Sequence, residues 1–184
     1  MNLRPAVPSD AMAVARVHVR AWQAGYRGLM PADHLAGLRP EDRAQRYDFT
    51  SEDPARPRTL VAIEADTVLG FATISSARDE DAAGQGELCA LYVEPYCWGR
   101  GIGRALADAA RSDLYLLGFR KAVLWVIAGN TRAERFYRAD GWSRDGSHRA
   151  RQIWNVTVDT ARYSRVLDAA QPHSDVSSST TVPW

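Results

Sequence analysis

Glycines are concentrated in one short stretch, where Gly99, Gly101 and Gly103 follow an apolar segment that ends at Pro95. Glycine lets the backbone approach a ligand closely and adopt positive φ angles without strain at Cβ. An amphipathic pattern begins at Ile102, so the loop leads into a helix N-terminus, where free N–H groups and the positive end of the helix dipole lie. A loop of this kind binds anions, most often a phosphate or pyrophosphate.

Two common phosphate-binding motifs fit this stretch poorly. A dinucleotide-binding fold has G-x-G-x-x-G after its first strand. Here Gly99, Gly101 and Gly103 form G-x-G-x-G, and the following spacing position is filled by Arg104 or Leu106. A P-loop requires G-K-[ST], and no lysine follows these glycines. The loop also comes after the fourth predicted strand, behind antiparallel strands, which is the wrong place for either motif.

The hydrophobic pattern predicts strands and helices around this loop. Predicted strands cover residues 3–7, 59–64, 68–76, 86–93, 122–127, 142–144 and a stretch within 153–166. The first predicted helix begins after Ser9, its N-cap. Two further helices are predicted over residues 33–48, with a break at Pro40, and over residues 101–117. The last predicted helix runs from Asn130, its N-cap, to about residue 140. Residues 122–127 are apolar without alternation, which is typical of a strand beside a parallel partner. Residues 86–127 therefore predict a βαβ unit.

The order of these elements resembles the GNAT superfamily of acyl-CoA-dependent N-acetyltransferases, in its small bacterial type. Residues 93–103 resemble the family's pyrophosphate loop, Q/R-x-x-G-x-G/A, and residues 130–137, N-T-R-A-E-R-F-Y, resemble its second motif, N-x-x-A-x-x-F-Y. Trp98 departs from the first motif, because it stands where the family has Gln or Arg. The resemblance implies an α+β fold, an α/β/α sandwich whose mixed, mostly antiparallel sheet has a splayed parallel strand pair and flanking helices.

The same resemblance implies acetyl-CoA as the cofactor, CoA as the product and no metal. In the family, the pantetheine arm pairs with strand backbone between two splayed parallel strands. Leu91 and Val93 would offer those contacts here, and the Val93 N–H would polarise the thioester carbonyl as an oxyanion donor does. The predicted cofactor-binding residues are Leu91, Tyr92, Val93, Trp98, Gly99, Arg100, Gly101, Ile102, Gly103, Arg104, Asn130 and Ala133.

Direct acetyl transfer also requires proton transfer, because free alkylamines have pKa values of about 10 and are mostly protonated at neutral pH. Glu87 is the predicted base, since the family often has an acidic residue near the start of this strand. A water relay, or a purely structural ion pair for Glu87, remains open. Tyr137 matches the tyrosine that the family uses as general acid to the thiolate, and simple packing on an amphipathic helix is its alternative role.

Trp22 and Tyr26, in the first predicted helix, are the predicted acceptor-binding residues, because this region borders the acceptor in the family. Their alternative role is to pack that helix onto the sheet. The arginines of the last predicted helix, Arg132, Arg135 and Arg138, are expected to form a solvated face, from which one of them could reach the adenosine 3′-phosphate of the cofactor.

Composition is that of an ordinary soluble globular protein, with 46% hydrophobic and 24% charged residues. A formal net charge of +1 makes nucleic acid unlikely as a partner and gives no case for membrane binding. Cys89 and Cys97 fit neither a disulfide framework nor a zinc spacing, so a cytoplasmic location is expected. We expect one acetyltransferase domain over residues 1–168, a flexible Ser/Thr-rich tail over 169–184, and possible homodimerisation.

The sequence therefore predicts an enzyme that transfers an acetyl group from acetyl-CoA directly to a primary amine of a small molecule. Two alternatives remain open at this point: acetylation of a protein, peptide or aminoacyl-tRNA, and a non-catalytic acyl-CoA-binding module. The presence of Glu87 and Tyr137 favours an enzyme over the last of these.

Overall fold

A computed structural model describes residues 1–51, 53, 56–153 and 156–168. The predicted tail, residues 169–184, lies outside these ranges. The strands are β1 (Asn2–Pro5), β2 (Arg58–Glu64), β3 (Thr67–Ser76), β4 (Gly86–Val93), β5 (Lys121–Ile127), β6 (Ser143–Ile153) and β7 (Val156–Val166). The helices are α1 (Ala11–Gly25), α2 (Ala32–Gly37), α3 (Pro40–Ala44), α4 (Ile102–Leu116) and α5 (Thr131–Ala139).

The strands form one mixed sheet in the order β1-β2-β3-β4-β5-β7-β6. All neighbouring strands are antiparallel except β4 and β5, which are parallel. These two pair at only two positions, Gly86 with Ala122 and Glu87 with Val123, and then separate. The predicted mixed sheet with a splayed parallel pair is therefore confirmed.

Helices cover both faces of this sheet, as alternating residues of β3 show. Phe71 packs in a cluster with Val14 and Val17 of α1. The next residue, Ala72, packs in a different cluster with Leu106 of α4. Because successive side chains of a strand point to opposite faces, α1 and α4 lie on opposite sides of the sheet. The predicted α/β/α layering is confirmed.

The structure corrects two of the predicted helices. Ser9 is not an N-cap: a 3₁₀ turn, Pro8–Asp10, precedes α1, and the Asp10 carboxylate accepts a hydrogen bond from the Val7 N–H at 2.8 Å. The stretch predicted over residues 33–48 is two short helices, α2 and α3. Pro40 starts the second one, since its fixed φ suits a first helical position and its missing N–H cannot continue the first.

The β6 strand is much longer than predicted, 11 residues in place of the segment 142–144. It is the edge strand of the sheet and pairs only with β7. All of its residues are exposed or half-buried, and several are charged. Such a strand has no buried face to impose an apolar alternation, so its sequence carries little periodic signal.

Candidate active site

A cleft of about 450 Å³ lies where β4 and β5 separate. Its walls come from β4, the end of β5, the glycine loop with the start of α4, and α5. The predicted site residues that line it are Tyr26, Leu91, Tyr92, Val93, Trp98, Gly99, Gly101, Ile102, Gly103, Arg104, Asn130, Ala133 and Tyr137. The fold thus brings both sequence motifs to one cavity.

The backbone of β4 offers unpaired amides to this cleft. The Glu94 N–H donates to the Leu69 carbonyl on β3 at 2.8 Å. In an antiparallel ladder, alternate residues turn their N–H and C=O groups to opposite sides. The amides of Leu91 and Val93 therefore point away from β3, toward β5, which pairs with β4 only as far as Glu87. This is the backbone edge that the sequence predicts for cofactor pairing.

The glycine loop ends in an open helix N-terminus. Gly99 and Gly101 both have φ angles of 82°, a left-handed conformation that glycine adopts without strain. Gly101 is the N-cap of α4 and, lacking a side chain, makes no side-chain capping bond. The next residues, Ile102, Gly103 and Arg104, line the cleft. The first N–H groups of α4 and the positive end of its dipole are thus at the cleft, where they suit an anion.

Trp98, the residue that departs from the family motif, joins the strand to the second motif. Its indole Nε1–H donates to the Val93 carbonyl at 2.8 Å. The guanidinium carbon of Arg132 lies 3.1 Å from the centroid of the indole ring. Arg132 is exposed, and it also lines the cleft.

Three tyrosines converge on the cleft. Tyr26 and Tyr92 have their hydroxyl oxygens 3.4 Å apart, and Tyr137 lines the same cavity. Burial raises the pKa of Tyr137 well above its usual value, and burial does the same for Tyr26. Both phenols therefore stay protonated at neutral pH and can act as hydrogen-bond donors.

Glu87 lies at the point where the parallel pairing ends. Its side chain is 9% exposed, and burial raises the pKa of its carboxyl group, while nearby Arg151 opposes that rise. Glu87 is not one of the residues that line the cleft; Cys89, two positions along β4, is. Glu87 and the cleft wall are linked through the Cys89 thiol, whose sulfur lies 3.7 Å from the Glu87 carbonyl oxygen.

Two other predicted residues are not brought to the cleft. Trp22 is 4% exposed and packs in a core cluster that contains Met30, and its ring centroid lies 4.7 Å from that of Tyr26, which does line the cavity. Arg100 turns outward and forms an ion pair with Glu64 at 3.2 Å. Their positions do not support the predicted acceptor contact of Trp22 or the predicted cofactor contact of Arg100.

Sequence reasoning missed several cleft residues, among them Arg132, Cys89, Trp125 and Phe136. Trp125 is in the uniformly apolar stretch of β5, and such a stretch does not show which face lines a cavity. Phe136 belongs to the second motif, but the sequence analysis assigned a catalytic role to its neighbour Tyr137 and no role to Phe136. Within the described ranges, no cluster of three or more His, Cys, Asp or Glu residues is placed to hold a metal ion, and no helix there is long and apolar enough to cross a membrane.

Fold and cleft together define an α+β protein in which the parallel strand pair β4–β5 opens beside a glycine-rich helix N-terminus. A family model described as the Acetyltransferase (GNAT) family matches residues 21–142. The chain belongs to this family of acetyltransferases.

Proteins similar to this chain are also named as acetyltransferases. The chain is 30% identical over 135 residues to the uncharacterized N-acetyltransferase YuaI of Bacillus subtilis, covering 71% of this chain and 73% of that protein. It is 31% identical over 144 residues to a mycothiol acetyltransferase of Geodermatophilus obscurus, covering 70% of this chain but only 45% of that protein. The crystal structure of PaiA N-acetyltransferase from Thermoplasma acidophilum in complex with coenzyme A has the same fold, with a TM-score of 0.66 and 18% identity over 90% of this chain and 98% of that one.

The contribution of the contact between Trp98 and Arg132 to stability can be measured as a coupling free energy. A guanidinium stacked on an indole contributes about 1 kcal/mol, more when partly shielded from water. In a double-mutant cycle of Trp98→Leu and Arg132→Met, measured by urea unfolding, we expect a coupling free energy of about 1 kcal/mol. Arg135→Met, an exposed change one helical turn away, is the control and should show no coupling to Trp98→Leu. Equal coupling for both arginines would contradict the contact.

Proposed function

We propose that this protein transfers the acetyl group of acetyl-CoA directly to a primary amine of a small molecule. The observation that carries the proposal is the early end of β4–β5 pairing. It leaves the amides of Leu91 and Val93, the open N-terminus of α4 and the Tyr137 side chain around one cleft.

The residues around the cleft fit acetyl-CoA. Its pyrophosphate is an anion, which suits the uncapped N-terminus of α4 behind Gly101. Its pantetheine arm contains amides, which can form hydrogen bonds with the unpaired backbone of Leu91 and Val93 in the way that a neighbouring strand does. One carbonyl of that edge, on Val93, already accepts a bond from Trp98, so we infer that the arm pairs mainly with the N–H groups there.

When bound, acetyl-CoA supplies an activated acetyl group as a thioester. Glu87 accepts the proton that the amine must lose before its nitrogen forms the new N–C bond, directly or through a water molecule. The Val93 N–H stabilises the negative charge that develops on the carbonyl oxygen. The Tyr137 phenol is protonated at neutral pH, so it can donate a hydrogen bond, and then its proton, to the sulfur as the C–S bond breaks.

A small acceptor is supported by the charge of the chain and by the comparison with a mycothiol acetyltransferase, named for a small-molecule substrate. The direct test is a thiol-release assay with acetyl-CoA and a panel of amines. We expect CoA release with at least one small amine. Silence across small amines, with transfer to peptides or charged tRNA, would contradict the small-molecule assignment.

Tyr137→Phe should lower kcat for acetyl transfer by about 100-fold or more, because it removes the proton donor to the leaving sulfur. It should change the Kd for acetyl-CoA, measured by calorimetry, by less than about twofold, since the ring that packs against Phe136 and Trp142 is kept. Tyr96→Phe, at an exposed tyrosine, is the matched control and should leave both values unchanged. An unaltered kcat in Tyr137→Phe would remove this residue from the mechanism.

The pH dependence of kcat/KM should report the ionisation of the Glu87 carboxyl group. The carboxylate form is the base, so the rate should rise with pH through the pKa of Glu87, which burial raises from its ordinary value. In Glu87→Gln this acidic limb should disappear and the rate should fall by roughly 100-fold. Glu41→Gln, an exposed change on α3, should keep the limb. Persistence of the limb in Glu87→Gln would point to another base.

A further inference from the structure

A cluster of charged side chains lies at the end of α5, beyond Tyr137, and the proposed mechanism gives it no role. Its centre is the carboxylate of Asp140, whose side chain is only 8% exposed although the residue lines the cleft. A buried carboxylate is costly unless hydrogen bonds and positive charges compensate it. The groups that compensate Asp140 therefore show what this residue holds in place.

Groups from separate segments of the chain meet on the Asp140 carboxylate. The guanidinium group of Arg111, on α4, donates to both of its oxygens, at 2.8 and 2.6 Å. The indole Nε1–H of Trp142 donates to one of these oxygens at 2.9 Å, and the Arg165 guanidinium on β7 lies 3.6 Å from the same oxygen. Gly141 leaves room for this arginine, because a Cβ atom there would come within 3.0 Å of it.

The Trp142 indole connects this carboxylate to Tyr137. Its ring is buried, and its centroid lies 6.3 Å from that of Tyr137 with the two ring planes at 74°. Aromatic rings attract each other in this edge-to-face arrangement. An indole donates a hydrogen bond only through Nε1, so the bond to Asp140 selects one orientation of the ring. Asp140 thus determines how the indole is presented to Tyr137.

The Tyr137 phenol depends on such packing for its orientation. Within the described ranges, no group forms a hydrogen bond with its hydroxyl, and its ring packs against Phe136 and Trp142. A proton donor has to stay within hydrogen-bond reach of the atom that it protonates. A displacement of about 1 Å can cost on the order of 100-fold in rate. The support of the Tyr137 ring therefore matters for the transfer step.

We propose that Asp140 is a positioning residue for acetyl transfer, which acts through the Trp142 indole to hold the Tyr137 side chain in the orientation in which it donates its proton. The inference rests on the proposed acetyltransferase function and on the role of Tyr137 in it. It adds to the reaction a residue that lies outside both family motifs and does not itself touch the reacting atoms.

The first test is the kcat of Asp140→Ala in thiol release from acetyl-CoA, with an amine that the acceptor panel identifies. We expect kcat to fall by about tenfold, because the indole loses its acceptor and the phenol its fixed orientation. The Kd for acetyl-CoA, measured by calorimetry, should change by less than about twofold. Trp142→Phe removes the same hydrogen bond from the other side and should also lower kcat, which keeps the inference testable if Asp140→Ala does not fold.

A double-mutant cycle separates positioning from a general loss of packing. In the Tyr137→Phe background there is no phenolic proton left to position, so adding Asp140→Ala should lower kcat by less than about twofold. Asp108→Ala is the matched control, because Asp108 on α4 is the other carboxylate that pairs with Arg111. This change should leave kcat as it is in the wild-type protein.

An unchanged kcat in Asp140→Ala would overturn the inference while leaving the acetyltransferase function intact. The same fractional loss of kcat with and without the Tyr137 hydroxyl would overturn it as well, since a merely structural role gives that result. Failure of the proposed function has another signature: no calorimetric binding of acetyl-CoA to the wild-type protein and no thiol release with any amine.

Discussion

The separation of β4 from β5 is the constraint on which the rest of the site depends. On one side, β4 remains paired with β3 as far as Val93, and on the other, β5 pairs with β7 over its whole length. A register shift in β4 leaves Cys89 as an extra residue between Leu88 and Ala90. A bulge of this kind bends a strand and increases its twist, which carries the end of β4 away from β5. Buried backbone amides need partners, so the gap is an edge prepared for an extended, amide-containing ligand.

The open edge is held in place by contacts from outside the sheet. Immediately after β4, the side chain of Glu94 is 1% exposed and accepts three hydrogen bonds from Arg20 of α1. On the other side, the Trp98 indole donates a hydrogen bond to the Val93 carbonyl, and the guanidinium group of Arg132 on α5 stacks on the indole ring. The strand end, the glycine loop and the second motif are thus connected through direct side-chain contacts. Trp98, which departs from the family pattern, has a structural task in joining them.

The sequence predicted the parts of the molecule whose signals are local. The bounds of β4 were predicted to the residue, and Asn130 caps α5 as expected, with its side-chain oxygen accepting from the Ala133 N–H at 3.1 Å. Glycine spacing led to the open N-terminus of α4. Such features depend on a few neighbouring residues, so a single chain is enough to find them.

Features set by tertiary packing were not accessible in this way. Trp22 and Tyr26 are one helical turn apart, yet only Tyr26 reaches the cleft, because α1 turns the other ring into the core. Arg100 and Arg104 flank the same glycines, and only Arg104 faces inward.

Amide hydrogen exchange by NMR, with and without CoA, tests the central claim most directly. The claim is that the cofactor pairs with the free edge of β4. The Tyr92 amide faces β3 in either state, whereas the amides of Leu91 and Val93 face the gap. The account predicts that CoA slows exchange at Leu91 and Val93 by at least about tenfold more than at Tyr92, as expected for new hydrogen bonds. Uniform protection of all three amides, or none, would contradict it.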